Sequence, residues 1–242
     1  MAVYTEYLAI CAAETCMTDY DYDPIPLDPL SRLSDAGMLK AATLHKDFVS
    51  RRRSVRDFSA EPIDRAVIEA CVLAAGAAPS GANHQPWHFV CIRDAETKRA
   101  IREAAETEER AFYGGKAGEA WLKDLKKIGT DASKPFLETA PWLIAVFAER
   151  YAEDANGVRH KHYYVPESVG IATGFLINAC HHLGLATLTH TPNPMKFLNR
   201  ILGRPKSERA FVLLVVGHPS PEATVPRAAT MKKKLDHITT FI

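Results

Sequence analysis

Pro79-Ser80-Gly81-Ala82-Asn83-His84-Gln85-Pro86-Trp87 is the stretch on which the reading of this sequence turns. A loop of small residues between a helical pattern and a strand-like run lets backbone N–H groups come close to a flat ligand. Gly81 removes the Cβ that would hold such a ligand off, and Ser80 and Asn83 can bond to ring heteroatoms. Alone, the loop fits equally well as an ordinary turn with a packed tryptophan. Upstream lies Arg51-Arg52-Arg53-Ser54-Val55-Arg56. Guanidiniums give planar, bidentate, charge-assisted bonds, so several of them with one hydroxyl at a helix end suit a phosphate monoester. The plainer reading is a solvated helix terminus whose cations complement the macrodipole.

Working outward, residues 17–33 carry Asp, Tyr and three prolines without apolar periodicity, which predicts an extended arm. Ser34 is a fair N-cap, and Met38, Leu39, Ala42, Leu44 and Phe48 give a helical stripe ending near Arg51. Pro62-Ile63-Asp64 opens a second helix with Val67, Ile68, Cys71, Val72 and Ala75 on one face. Residues 87–92 read as a short strand. A helix follows from Asp94 to about Tyr113, interrupted by Gly114-Gly115, and a further amphipathic segment spans about 117–128. Residues 142–148 are almost continuously apolar, as a strand buried on both faces requires. Residues 166–183 form a mostly apolar helix, buried all round in a core or in a subunit interface. Residues 186–191 and 210–216 are two more strands. The tail from Pro219, with three prolines, a lysine cluster and an apolar end, must dock on its own core or on a partner's. Strands and helices intermingle without regular βα alternation, so the class is α+β.

The composition excludes several alternatives. With 30 Lys+Arg against 29 Asp+Glu the formal charge is +1, and nothing calls for a nucleic-acid partner; the basic run 123–127 reads as a solvated helix face. The five cysteines are scattered without CxxC spacing. Cys71, Cys91 and Cys180 sit in apolar runs as small core residues, which points to a reducing, cytoplasmic setting; Cys11 and Cys16 are poor metal candidates. His160 and His162 have strand-like ligand spacing but no acidic or cysteine partner nearby, so surface histidines and no metal are expected. No apolar stretch reaches the ~20 residues that span a bilayer. Residues 1–17 lack a basic leader region, and Met17 is a possible start.

Taken together, Arg52, Arg53, Ser54 and Arg56 at a helix end, followed by Pro79, Ser80, Asn83, Gln85, Pro86 and Trp87, resemble the signature of the FMN-dependent nitroreductase family. The resemblance implies a nitroreductase-like FMN-binding fold with a central mixed, mainly antiparallel sheet flanked by helices. It also implies a domain-swapped homodimer with FMN at the interface. Residues 1–33 are then an N-terminal extension, and 34–242 are the FMN-binding domain with a dimer arm from about residue 219. The sequence is similar to the iodotyrosine deiodinase branch from about Arg52 onward, through residues 121–127, 162–164, 202–205 and 222–226.

In that branch a substrate lid of one Glu, one Tyr and one Lys clamps a zwitterion, and the matching positions are Glu109, Tyr113 and Lys134. Glu109 and Tyr113 are i, i+4 on one helix face. A carboxylate takes the α-ammonium, and the lysine and phenol bond the α-carboxylate. Ala82 matches the position whose backbone N–H bonds the substrate phenolate. Thr189, His190 and Thr191 match the segment beside the flavin, with Thr191 in the catalytic position whose hydroxyl bonds flavin N5 and favours one-electron steps over hydride transfer. Arg52, Arg53, Ser54, Val55, Arg56, Ser80 and Gly81 complete the implied cofactor contacts. The family's C-terminal phosphate arginine is matched by Lys232, with Lys233 as the alternative. Asn83 and Gln85 are closer to general nitroreductases. The implied activity is reductive dehalogenation of a small phenolic amino acid such as halotyrosine, driven by NAD(P)H or a reductase protein, with no membrane partner. An NAD(P)H-dependent nitroreductase or flavin reductase is the alternative, and a flavin-storing or ligand-sensing protein a third.

Overall fold

The structure is a computed structural model that describes residues 22–28 and 30–242. It comprises two units, one through Leu44 and one from His45 to Ile242. In the first, described residues 22–28 and 30–34 have no regular secondary structure. There the Ser34 hydroxyl accepts from Gly37 N at 3.2 Å, so the expected cap is present. It opens helix α1, Asp35–Val49. The expectations for Cys11, Cys16, Met17 and the leader fall outside the described residues.

In the second unit four strands form one antiparallel sheet in the order β1 (Trp87–Ile92), β2 (Trp142–Glu149), β6 (Glu208–Gly217), β5 (Ala186–His190). A two-stranded ribbon of β3 (Tyr151–Glu153) and β4 (Arg159–Lys161) stands apart from it. The period of two along β2 divides the interior. Leu143, Ala145 and Phe147 point to a cluster with Ile101 and Ala105 of α3 (Ala95–Ala111), Phe136 of α5 (Phe136–Thr139) and Phe197 of α7 (Lys196–Ile201). Ile144, Val146 and Ala148 point the other way, to Ile68, Cys71 and Ala75 of α2 (Arg65–Gly76) and Val169, Leu176 and Cys180 of α6 (Val165–His182). The result is three layers, helix–sheet–helix, as the continuous apolar run of β2 requires.

Most elements lie where the periodicity puts them. Departures have physical reasons. The helix read through Tyr113 ends at Ala111 in a π turn over Phe112–Lys116, where Gly115 takes φ 138° and releases the helical path. The next helix, α4, spans Glu119–Lys127, and Lys123, Lys126 and Lys127 are exposed on it. Helix α6 is not fully covered by its own chain: Ile171 and Phe175 are each 43% exposed, which leaves the subunit-interface alternative for that face. Cys91 is exposed rather than a core residue, because β1 is an edge strand; burial of its immediate surroundings pushes the thiol up to about 11. His162 is buried, not a surface residue, with its Nδ1 3.1 Å from the Glu149 carbonyl.

Helix α3 carries Glu109, and its start is fixed by Asp94, which accepts from both the N–H (2.8 Å) and the hydroxyl (2.7 Å) of Thr97. Asp94→Ala is expected to lower the urea midpoint of unfolding; no loss would mean that the cap is redundant.

Candidate active site

The end of β5, the end of α3 and the segment before α5 enclose a cleft of about 270 Å³. Its walls include Arg56, Glu109, Tyr113, Lys134, Thr189, His190 and Thr191, residues scattered over 136 positions of sequence from 56 to 191. Lys134 is 2% exposed, and its Nζ lies 3.5 Å from Glu109 Oε2, 3.2 Å from Thr130 Oγ1 and close to the Asp131 carbonyl. The same Nζ stands 5.7 Å from the centre of the Tyr113 ring. Tyr113 donates its hydroxyl to the Thr130 carbonyl at 3.1 Å. The backbone before α5 is pinned by Lys134 N–H donating to Glu106 Oε1 at 2.8 Å.

Burial governs the ionisation of this group. Desolvation holds the Lys134 ammonium below and the Glu109 carboxyl above their ordinary values, each partly offset by the other's charge. Burial likewise raises the Tyr113 phenol, which keeps it a neutral donor. His190, 7% exposed, is pushed down to about 3 by desolvation and by the charges of Lys134 and Arg56, so it is neutral, and its Nε2 is enclosed without a hydrogen-bond partner among the described residues. A 3.5 Å ion pair whose members are both driven toward neutrality is poorly satisfied. A zwitterion would offer each of them an opposite charge.

A second cleft adjoins through Thr189, which lines both, and presents Arg52 and Ser54 beside Asn178 and His181 of α6. Val55 N–H donates to the Thr187 carbonyl at 3.2 Å, which fixes the 52–56 run along β5. The Arg53 guanidinium turns back onto the Ser50 and Arg52 carbonyls at 2.5 and 2.8 Å. Cations and a hydroxyl at one end, and a partly apolar cleft with a buried imidazole nitrogen unpartnered among the described residues at the other, fit an elongated ligand with a phosphate tail and a ring head. FMN has that form.

The Ser80–Gly81–Ala82 loop is elsewhere. It packs at the start of α6, with Gly81 N–H 3.4 Å from Ser168 Oγ, and it lines neither cleft. A Cβ on Gly81 would meet the Tyr163 carbonyl at 3.0 Å, so any larger residue would require that backbone to give by a few tenths of an ångström. Ala82, Asn83 and Gln85 have φ of 49°, 55° and 48°, a cluster of left-handed non-glycine residues of the kind that collects at ligand sites. The Ala82 N–H donates to no acceptor among the described residues. Lys232 is exposed in the tail and lines neither cleft. Trp121, Leu125 and Phe112, which sequence reading passed over, close the lid side of the first cleft, with Phe112 and Trp121 edge to face at 4.8 Å. The amphipathic pattern of α4 was the available signal.

Residues 49–218 match the model of the nitroreductase family. The chain belongs to that family. This nitroreductase-family chain is similar to the iodotyrosine deiodinase of Haliscomenobacter hydrossis, with 51% identity over 189 residues, 78% of this chain and 85% of the relative. Iodotyrosine deiodinase 1 of Rattus norvegicus is 45% identical over 193 residues, 79% of this chain and 67% of the relative. A crystal structure of oxidized iodotyrosine deiodinase bound to FMN and 3-iodo-L-tyrosine superposes with a TM-score of 0.67 at 31% identity, over 81% of this chain and 99% of that one. The expected nitroreductase-like fold, with its antiparallel sheet between helices, is therefore borne out.

Proposed function

We propose that this chain is an FMN-dependent oxidoreductase that reductively dehalogenates halotyrosines. The observation that carries the reading is the convergence of Glu109, Tyr113 and Lys134 on one cleft with Thr191, next to the cleft of Arg52 and Ser54. The relatives named iodotyrosine deiodinase support it. When bound, FMN supplies the two electrons that let halide leave with its bonding pair while a proton takes its place on the ring. Arg52, Arg53, Ser54 and Arg56 would hold the phosphate and adjoining groups, Val55 the run's register, and Thr189, His190 and Thr191 the ring, with the Thr191 hydroxyl toward N5. Glu109 receives the substrate ammonium, and Lys134 and Tyr113 its carboxylate. Clamping both charges orients the phenol and shuts water out of the cleft.

The working unit in this reading is a domain-swapped homodimer in which a second copy brings Ser80, Gly81 and the Ala82 N–H to the cleft. The exposed Ile171 and Phe175 of α6 and the exposed Met231, Leu235, Ile238 and Phe241 of the tail supply apolar surface for such an interface, and Lys232 reaches phosphate from the tail. Residues 34–242 act as one domain behind a 1–33 extension, in the cytoplasm, where the buried thiols of Cys71 and Cys180 stay reduced.

The test is anaerobic turnover of 3-iodotyrosine by the dithionite-reduced holoenzyme, read as iodide released and tyrosine formed. Equal amounts of the two are expected. Rapid NAD(P)H oxidation with nitroaromatics and no iodide would instead mark a general nitroreductase.

A further inference from the structure

A third cleft, of about 550 Å³, shares a wall with the substrate cleft, because Asn193 lines both. It runs between the start of α7 and the entry to β6, and carries Arg150, Lys196, Arg204, Lys206 and Arg209 against one carboxylate, Glu208. Glu208 is spent: both its oxygens meet Arg204, one at 2.7 Å. Arg150 donates to the carbonyls of Lys206 and Ser207, which leave its charge unopposed. Lys196, Lys206 and Arg209 are exposed and form no ion pair among the described residues. In a chain of net charge +1, so local an excess of cations makes a positive field that draws in an anionic partner.

The substrate cleft constrains what that partner is. At about 270 Å³ and crossed by the Glu109–Lys134 pair, it is already taken up by the flavin ring and the clamped amino acid of the reading above. A donor that docks outside and passes electrons across the shared wall needs no room within. We propose that this basic cleft docks an acidic one-electron carrier protein, the reductant of the site. The proposal rests on the dehalogenase reading. Each encounter oxidises one reduced carrier by one electron. Two encounters balance one carbon–halogen bond, the halide leaving with the pair and a solvent proton forming the new C–H bond.

The experiment uses the holoenzyme, its Lys196→Glu/Lys206→Glu/Arg209→Glu variant and a bacterial flavodoxin as the probe. Binding is read from NMR line broadening of ¹⁵N-labelled oxidised flavodoxin at low salt. Electron transfer is read as the stopped-flow rate of enzyme flavin reduction by the reduced form. In the native protein, broadening confined to the acidic face and a rate that falls with salt are expected. The variant should lose the broadening and slow by about fivefold or more, with dithionite-driven iodide release unchanged. Equal binding and rate in the two proteins would overturn the proposal. So would NADPH reducing the native enzyme with a KM that rises in the variant, since the cleft would then hold nucleotide phosphates. Failure of iodide release with dithionite in the native protein would count against the dehalogenase reading alone, because flavodoxin binding is measured without substrate.

Discussion

Replacing Lys134 by glutamine is expected to weaken 3-iodotyrosine binding by about tenfold to a hundredfold, measured by quenching of flavin fluorescence, with FMN affinity retained. Lys134 is 2% exposed and faces Glu109 at 3.5 Å, so its ammonium acts in a poorly hydrated pocket where a charge-assisted contact to a carboxylate is strong. Its loss has a second effect. The Glu109 carboxyl is already raised by burial and held down only by Lys134, so removing that cation raises it further. Binding the substrate ammonium needs ionised Glu109, so affinity falls as pH drops through the Glu109 value. In the variant that fall begins at higher pH. Glu109→Gln should also lose about tenfold or more by stranding the buried Lys134 charge. Unchanged affinity in both variants would sink the clamp, and a melting temperature measured alongside separates a binding loss from unfolding.

The second large effect is on stability against acid. His190 is displaced from 6.5 to about 3, first by desolvation and then by Lys134 and Arg56. Between those two values the unfolded chain takes up a proton at this position and the folded chain does not. Stability therefore falls as pH drops through the window, by about 2 kcal/mol at pH 5 and up to about 5 kcal/mol near pH 3. In His190→Gln that increment should vanish, so urea titrations at pH 7 and pH 5 should lie closer together than in the native protein. An identical loss in the two proteins would show that His190 charges freely in the fold, contrary to its enclosure.

Much of the fold was legible because its signals are local. The apolar run of β2 announces a strand covered on both faces, and Asp64 and Asp94 mark helix starts with their own side chains. The lid residues were legible through spacing and resemblance, since Glu109 and Tyr113 are one helical turn apart. Other features depend on contacts between distant segments. Whether Cys91 is covered depends on where β1 sits in the sheet, and His162 is buried by its packing against His84, ring centres 5.0 Å apart. Helix α7, only six residues long, carries too little periodicity to be read. The basic cleft was invisible for the same reason, since Arg150 and Arg209 meet only because β2 and β6 pair. The separation of Ser80, Gly81 and Ala82 from Thr191 is likewise a property of topology and not of motif.

The turn that follows Pro79 has an implication for how this protein can change. Three of its residues, Ala82, Asn83 and Gln85, hold a backbone that suits glycine better, at a cost of order 1 kcal/mol each. Glycine at those positions would relieve steric strain while loosening the chain, so rigidity and ease of folding pull in opposite directions there. β-Branched residues would be disfavoured outright. Laboratory evolution for heat tolerance should therefore find its gains in the core and at helix caps, and leave this short loop almost untouched.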